Sequence, residues 1–339
     1  MTRYVIRRLL LAIPTLVAIS LVIFTILYFA PGDPTANLPL NIPQDVREDI
    51  RQSLGLGESF LTRWLKWVEL MFINEPLHFL DEWFGICIGD CENRPRIMSW
   101  QSRSPAIDVI VERLPQTLWV LGSAFIIGIL IAIPVGVISA YKQYSWFDSI
   151  GTVVTMVGYS VPTFFTGLMA IVVFSVKLGW FPSTYDTRHV VDWTSWESIS
   201  FQLKQMAMPV AVLSLFNAAA LTRFTRAAML DNLNEDYVRT ARSKGAKEKA
   251  VILSHVLRNS LIPVVTLIAL QIPGIFAGAI VTENIFRING LGALLIGAIE
   301  GGDVPMVQTL TFIFAVLIVV FNLVADVLYG LLDPRIRYD

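Results

Sequence analysis

Charge is scarce in this chain. Only 16% of its 339 residues are Asp, Glu, Lys or Arg, where a soluble domain carries about a quarter. Cysteine is nearly absent. Two residues, Cys87 and Cys91, are too few for a disulfide scaffold or a four-cysteine zinc site. The three histidines, His78, His189 and His255, are scattered, and no H-E-x-x-H occurs. G-x-S-x-G is missing as well. So is G-x-x-x-x-G-K-[ST], which removes the P-loop route to a nucleotide triphosphate. No chain of intramembrane acids serves a proton-driven pump. Asp326 is the main candidate, and it reads more simply as a cap or as a partner for Arg335. There is no internal repeat, no low-complexity segment and no sign of nucleic-acid binding. What the chain has in quantity is apolar sequence: 55% of its residues are hydrophobic. The class that remains is an all-α polytopic membrane protein.

Taken in order, a short basic start (MTRYVIRR) precedes residues 9–29, which carry no charge. That run matches the length of about 20 residues needed to cross a bilayer as helix. It exceeds the apolar core of roughly 7–15 residues in a signal peptide, so it is expected to stay as the first span, within residues 1–30. Residues 31–106 are polar, rich in tryptophan and more acidic than basic, and read as an external loop domain. QDVREDIRQSLGL has the pattern of a short amphipathic helix. FLTRWLKWVELMF has helical spacing with a Trp-rich face, and either lies on the membrane surface or packs inside a small extramembrane domain. Cys87-Ile-Gly-Asp-Cys91 is spaced for a small disulfide or holds two free thiols.

Five further uncharged runs follow within residues 107–339: Leu114–Tyr141, Ser149–Val176, Gln205–Thr222, Asn259–Thr282 and Val304–Ala325. Pro134, Pro162 and Pro273 fall inside them. A membrane helix tolerates such breaks when neighbours or water satisfy the freed backbone groups, which suits helices lining a path as well as kinked structural ones. Gly274 and Gly278 form a G-x-x-x-G, a weak mark of a helix-packing face. Six spans put both termini on one side. With the N-terminus inside, the inner segments (1–8, 142–148, 223–260 and 333–339) collect Arg3, Arg7, Arg8, Lys142, Arg223, Arg226, Arg335 and Arg337 as well as the loop basics, as positive-inside sorting requires. The loops 31–106, 177–204 and 284–303 then face out.

The inner loop at 227–260 is the long polar, basic and helix-patterned stretch between apolar spans. Tyr237–Gly245 reads as a short helix stopped by Gly245, the usual residue for a left-handed C-terminal turn. Ala246–Asn259 reads as a second helix. Together they make either an elbow for a soluble partner or a solvated basic loop.

This stretch resembles the EAA loop of ABC-importer permeases, whose pattern is E-A-A, three residues, G, nine residues, I-x-L-P. Aligned on Gly245, the E-A-A positions fall on Arg239, Thr240 and Ala241. The I-x-L-P positions fall on His255, Val256, Leu257 and Arg258. Only Ala241, Gly245 and Leu257 match the general pattern. The form present here, D-Y-V-R-T-A-R-x-K-G followed by H-x-L-R-N-x-L-I-P, resembles the dipeptide/oligopeptide/nickel branch. So do Ala30-Pro31-Gly32-Asp33-Pro34, Glu112–Leu118 (ERLPQTL), Gly179-Trp180-Phe181-Pro182, Glu283-Asn284-Ile285-Phe286, Gly290-Leu291-Gly292 and Asp333–Tyr338.

The resemblance implies a type I ABC-importer permease subunit in a prokaryotic inner membrane, carrying peptides. The same architecture in this branch also serves oligosaccharides or nickel. A stand-alone channel is the rival from another class, and a membrane enzyme is a remote third. The resemblance further implies a second homologous permease subunit, two ATP-binding subunits or domains that use ATP and Mg, and an extracytoplasmic binding protein. This chain would bind no cofactor or metal itself. Tyr237, Arg239, Thr240, Ala241, Arg242, Lys244, Gly245, Ala246 and Lys247 would form the coupling helix, backed by His255, Leu257, Arg258 and Asn259.

Overall fold

The computed structural model describes residues 2–29, 57–91, 93–277 and 280–332. The Ala30–Pro34 motif, the QDVREDIRQSLGL segment, Gly278 and the Asp333–Tyr338 motif with Arg335 lie outside the described residues. Among the described residues every regular element is a helix, with one isolated bridge between Met98 and Pro105. In chain order they are α1 (Thr2–Tyr28), α2 (Phe60–Glu69), α3 (Glu75–Phe84), α4 (Ala106–Tyr141), α5 (Trp146–Ser160), α6 (Thr163–Lys177), α7 (Trp196–Leu233), α8 (Asp236–Ser243), α9 (Glu248–Ile275), α10 (Ile280–Phe286), α11 (Leu291–Glu300) and α12 (Val304–Leu332). Five of them are long and apolar enough to cross a membrane, and six spans result if α5 and α6 are one broken span.

That break is sharp: α5 and α6 meet at 101°. Proline disfavours helical backbone in the residue before it, and Val161, before Pro162, is extended at φ −81°, ψ 127°. Pro134, Pro209, Pro263 and Pro273 stay inside continuous helices. Several helices extend beyond their uncharged runs. The helix α7 continues through Arg223 and Arg226, and its 38 residues extend about 57 Å, past the roughly 30 Å hydrocarbon layer. The helix expected over Ala246–Asn259 is not a separate element. It forms the first turns of α9, which stays helical through Asn259.

The chain divides into two compact units. The first holds residues 1–6, 115–293 and 318–339. Its centre is the crossing of α4 and α7. Gly128, Ala132, Gly136 and Ala140 recur every four residues of α4, and all four are buried. Such a stripe lets two helices approach closely. A Cβ added at Gly136 would sit 2.7 Å from Thr225 Cβ and 2.9 Å from the Thr222 carbonyl. A Cβ on Gly274 would meet nothing within 4 Å, and Gly278, the other half of its G-x-x-x-G, lies outside the described residues.

The second unit holds residues 7–114 and 294–317. The Trp-rich α2 lies against membrane-type helices. Trp64 Nε1 donates to Ser20 Oγ of α1 at 3.4 Å, and Trp67 packs edge-on against Phe312 of α12 at 5.1 Å. Two buried acids tie the loop beyond α3. Glu75 accepts from Ile97 N and from Arg96, which also bridges to Asp108. Asp303 accepts from Trp100 N, Gln101 N and the Ser99 hydroxyl. Cys87 and Cys91 are joined as a disulfide, with Cα atoms 6.0 Å apart.

Overpacking a close helix crossing costs about 1–3 kcal/mol. Gly136→Val is therefore expected to lower the unfolding temperature of the detergent-solubilised protein by several degrees. Gly122→Ala, where a Cβ meets nothing within 4 Å, is expected to leave it unchanged.

Candidate functional site

The elbow begins at Glu235, whose extended backbone precedes α8. At the far end of α8, Ala246 N donates to Ala241 O at 3.2 Å and Gly245 N donates to Arg242 O at 2.9 Å. This pair of bonds, with Gly245 at φ +78°, is the Schellman stop that satisfies the last carbonyls of a helix. A Cβ on Gly245 would meet nothing within 4 Å. The glycine is required by its left-handed backbone and not by space.

The two faces of the elbow differ. Val238 is fully buried, and Tyr237, Ala241 and Ala246 pack beside it on a cluster of Met229, Val137, Val251, Ile252 and Val256. Leu257 joins the same cluster, while His255, Arg258 and Asn259 are exposed on α9. Arg239, Thr240, Arg242, Lys244 and Lys247 are exposed on the outer side of the elbow. Arg242 reaches across the turn to Glu248 with Nη2 to Oε1 at 2.7 Å and Nε to Oε2 at 3.2 Å. Those bonds raise the pKa of the guanidinium above its usual value. Tyr237 donates to Asn232 at 2.8 Å, and Ser260 Oγ donates to the Ala228 carbonyl at 3.0 Å. The apolar face thus fixes α8 to α4, α7 and α9, and a basic face is left for something else.

Next to this cluster, Asp148 at the start of α5 is buried and takes two bonds from Arg226 of α7, each 2.7 Å. Tyr144 N donates to the same carboxylate at 3.0 Å. The sequence offered Arg226 only as a flanking charge. The signal for the pair was Asp148, a lone acid directly ahead of an apolar run.

Several motifs that carried the resemblance meet at one buried point. Glu283, from Glu283–Phe286, is fully buried. Its Oε1 accepts from Thr117 Oγ1 of the ERLPQTL stretch at 3.2 Å, and its Oε2 accepts from Ala293 N at 2.8 Å. Leu291 N donates to Thr117 Oγ1 at 2.7 Å. A Cβ on Gly290 would lie 2.5 Å from both Glu283 Oε1 and Thr117 Oγ1, and one on Gly292 would lie 2.9 Å from Glu283 Oε2. The glycines of Gly290-Leu291-Gly292 make room for the carboxylate. Tyr185, three residues past Pro182, donates its N–H to Phe286 O at 2.8 Å. Glu283 lies beyond the Glu248–Ile275 span. Burial raises its pKa from the ordinary 4.5, against the opposing bonds from Ala293, Thr117 and Gly292.

With this geometry in view, two family models match the chain. Residues 132–338 match the binding-protein-dependent transport system inner membrane component, and residues 1–121 match the N-terminal region of the same membrane components. The chain is 39% identical over its full length to the full-length oligopeptide transport system permease protein AppB of Bacillus subtilis (strain 168). It is 35% identical, again over the whole of both chains, to the glutathione transport system permease protein GsiC of Escherichia coli (strain K12). A putative peptide permease of Brucella suis biovar 1 (strain 1330) is 34% identical over 99% of each. The chain belongs to the binding-protein-dependent inner-membrane permease family. It is a permease component of an ABC importer in the inner membrane, and is not itself an enzyme.

Two outcomes follow from the buried acids. Asp148→Ala leaves Arg226 without its partner and is expected to cost about 1–3 kcal/mol, less than a fully buried pair because Arg226 is part-exposed. The double variant Asp148→Ala/Arg226→Ala should recover part of that loss in thermal unfolding. For Glu283 the folded pKa is raised, so its favourable contribution is complete below pH 4.5 and is lost as pH rises through the folded value. The unfolding temperature of the unsubstituted protein, measured against Glu283→Gln, is expected to fall as pH rises through that window.

Proposed function

We propose that this chain forms half of the translocation pathway of an ATP-driven peptide importer and that its elbow docks on an ATP-binding subunit. In this reading the chain crosses the membrane six times with both termini in the cytoplasm. A second homologous permease completes the path. Two ATP-binding subunits or domains hydrolyse ATP with Mg, and an extracytoplasmic binding protein delivers cargo to loops 31–106 and 284–303. The relatives named for oligopeptides, peptides and glutathione favour peptide cargo over sugar or nickel.

The observation that carries the docking is the two-faced elbow. Its apolar side is clamped by Val238, Val251 and Val256, and its basic side, with Arg239, Arg242, Lys244 and Lys247, is exposed. A displacement imposed on α8 passes through the Gly245 stop into α9, which is itself a spanning helix. Arg239, at the first position of the general EAA pattern, pairs with Asp236 at the start of its own helix and stays exposed on the basic face.

Backbone at positive φ costs a residue with a Cβ about 1–2 kcal/mol, least for Asn and most for β-branched side chains. In the reconstituted complex, Gly245→Val is expected to abolish peptide uptake, with ATPase activity either lost or no longer tied to uptake. Gly245→Asn is expected to keep both. Normal ATP-driven uptake by Gly245→Val removes the elbow from the coupling path. Peptide flux without ATP points to a channel.

A further inference from the structure

The bend between α5 and α6 stands beside a cavity of about 820 Å³ within the first unit. Its size is in the range of about 300–1,000 Å³ common to ligand sites. Among the described residues no Asp, Glu, Lys, Arg or His lines it. Its polar groups are side-chain amides and hydroxyls. Asn217 of α7 and Gln271 of α9 are both on the wall, and neither hydrogen-bonds to any described residue. Tyr159 lies flat on Phe216, with centroids 5.8 Å apart and planes 8° from parallel. Its hydroxyl is likewise without a partner among the described residues.

Three features suit a space open to water or cargo. Polar side chains at membrane depth without protein partners need water or a ligand. Non-helical backbone at that depth survives only when packed in protein or facing a water-filled space, and Ser160, Val161 and Pro162 are all on the wall. Gly274 faces open space on the α9 side.

We infer that this cavity is a cargo subsite, in which Asn217, Gln271 and the Tyr159–Phe216 shelf hold a peptide by its backbone amides. The inference rests on the importer reading above and names the wall that meets the cargo. Each amide side chain offers donors and acceptors, and every peptide unit offers one N–H and one C=O whatever its side chains. An uncharged wall in a low-dielectric setting neither attracts nor repels a charged cargo side chain strongly. A fixed charge placed there would do both. The arrangement passes peptides irrespective of side-chain charge and leaves selection to another component.

The test uses the full complex with its ATP-binding subunits and binding protein in proteoliposomes, with Ala-Ala-Ala, Ala-Asp-Ala and Ala-Lys-Ala as probes. The binding protein is the same throughout, so a changed preference reports the permease. Asn217→Asp is expected to lower uptake of Ala-Asp-Ala relative to Ala-Lys-Ala by about tenfold, and Asn217→Lys to reverse that shift. Asn217→Leu and Gln271→Leu are expected to slow all three probes together. Uptake with an unchanged preference in both charged variants overturns the proposal.

Should the charged variants transport nothing, a second measurement decides. Gln271→Cys is expected to react with a charged, membrane-impermeant methanethiosulfonate, and Ala-Ala-Ala with the binding protein to slow that reaction. The native cysteines are held as a disulfide and stay silent. No reaction in any nucleotide state, or no protection by peptide, overturns the proposal. Absence of ATP-driven uptake by the unsubstituted complex overturns the importer reading, and with it the cargo assignment. That failure is recognised because it precedes any substitution.

Discussion

Taking the Glu283 carboxyl out of water costs several kcal/mol unless each oxygen finds a donor. In this protein the donors come from separate elements: Thr117 lies 166 residues away, and the Ala293 N–H comes from the first turn of α11. Bringing them together fixes where α4 meets α10 and how the chain leaves α10. Gly290 and Gly292 must stay without side chains for the oxygens to fit. Tyr185 and Phe286 then close over the apolar side, in a cluster with Val120, Leu121 and Ile288. A polar group that must be satisfied at several points specifies an arrangement more narrowly than apolar packing does.

Around that point the first unit combines stiff and interrupted helices. The small-residue stripe of α4 lets α7 approach until Gly136 nearly touches the Thr222 carbonyl, giving a close-packed core. The α5–α6 pair is cut at Val161–Pro162 and turned through 101°. The first feature holds two helices together along their length. The second moves backbone out of the bundle and leaves space beside Tyr159 and Phe216. The structure is therefore dense at one helix crossing and open at the neighbouring one.

Much of the helical architecture was legible in the sequence because uncharged runs act over whole segments. The turn at Gly245 was legible because one residue type dominates that backbone conformation. Helix ends were less so. Arg223 and Arg226 look like the end of a span, yet α7 carries them onward, since a charged side chain does not stop a helix. Ala246–Asn259 likewise reads as a helix of its own, yet α9 runs on through Asn259. The motifs ERLPQTL, Glu283–Phe286 and Gly290-Leu291-Gly292 were each visible, but their shared purpose was not. Proximity across 166 residues leaves no trace in local pattern. Asn217 and Gln271 passed unnoticed because a single amide hardly alters the hydropathy of a run. Of the G-x-x-x-G pair, Gly274 faces open space.

Because α8 leads into α9 through the Gly245 turn, the orientation of its basic face against the spanning part of α9 depends on the number of residues between them. Each residue added to or removed from the α-helical turn Leu257–Ser260 would turn one against the other by about 100° and shift it by about 1.5 Å. An exchange of inner loops with another permease therefore has to carry this stem at its full length.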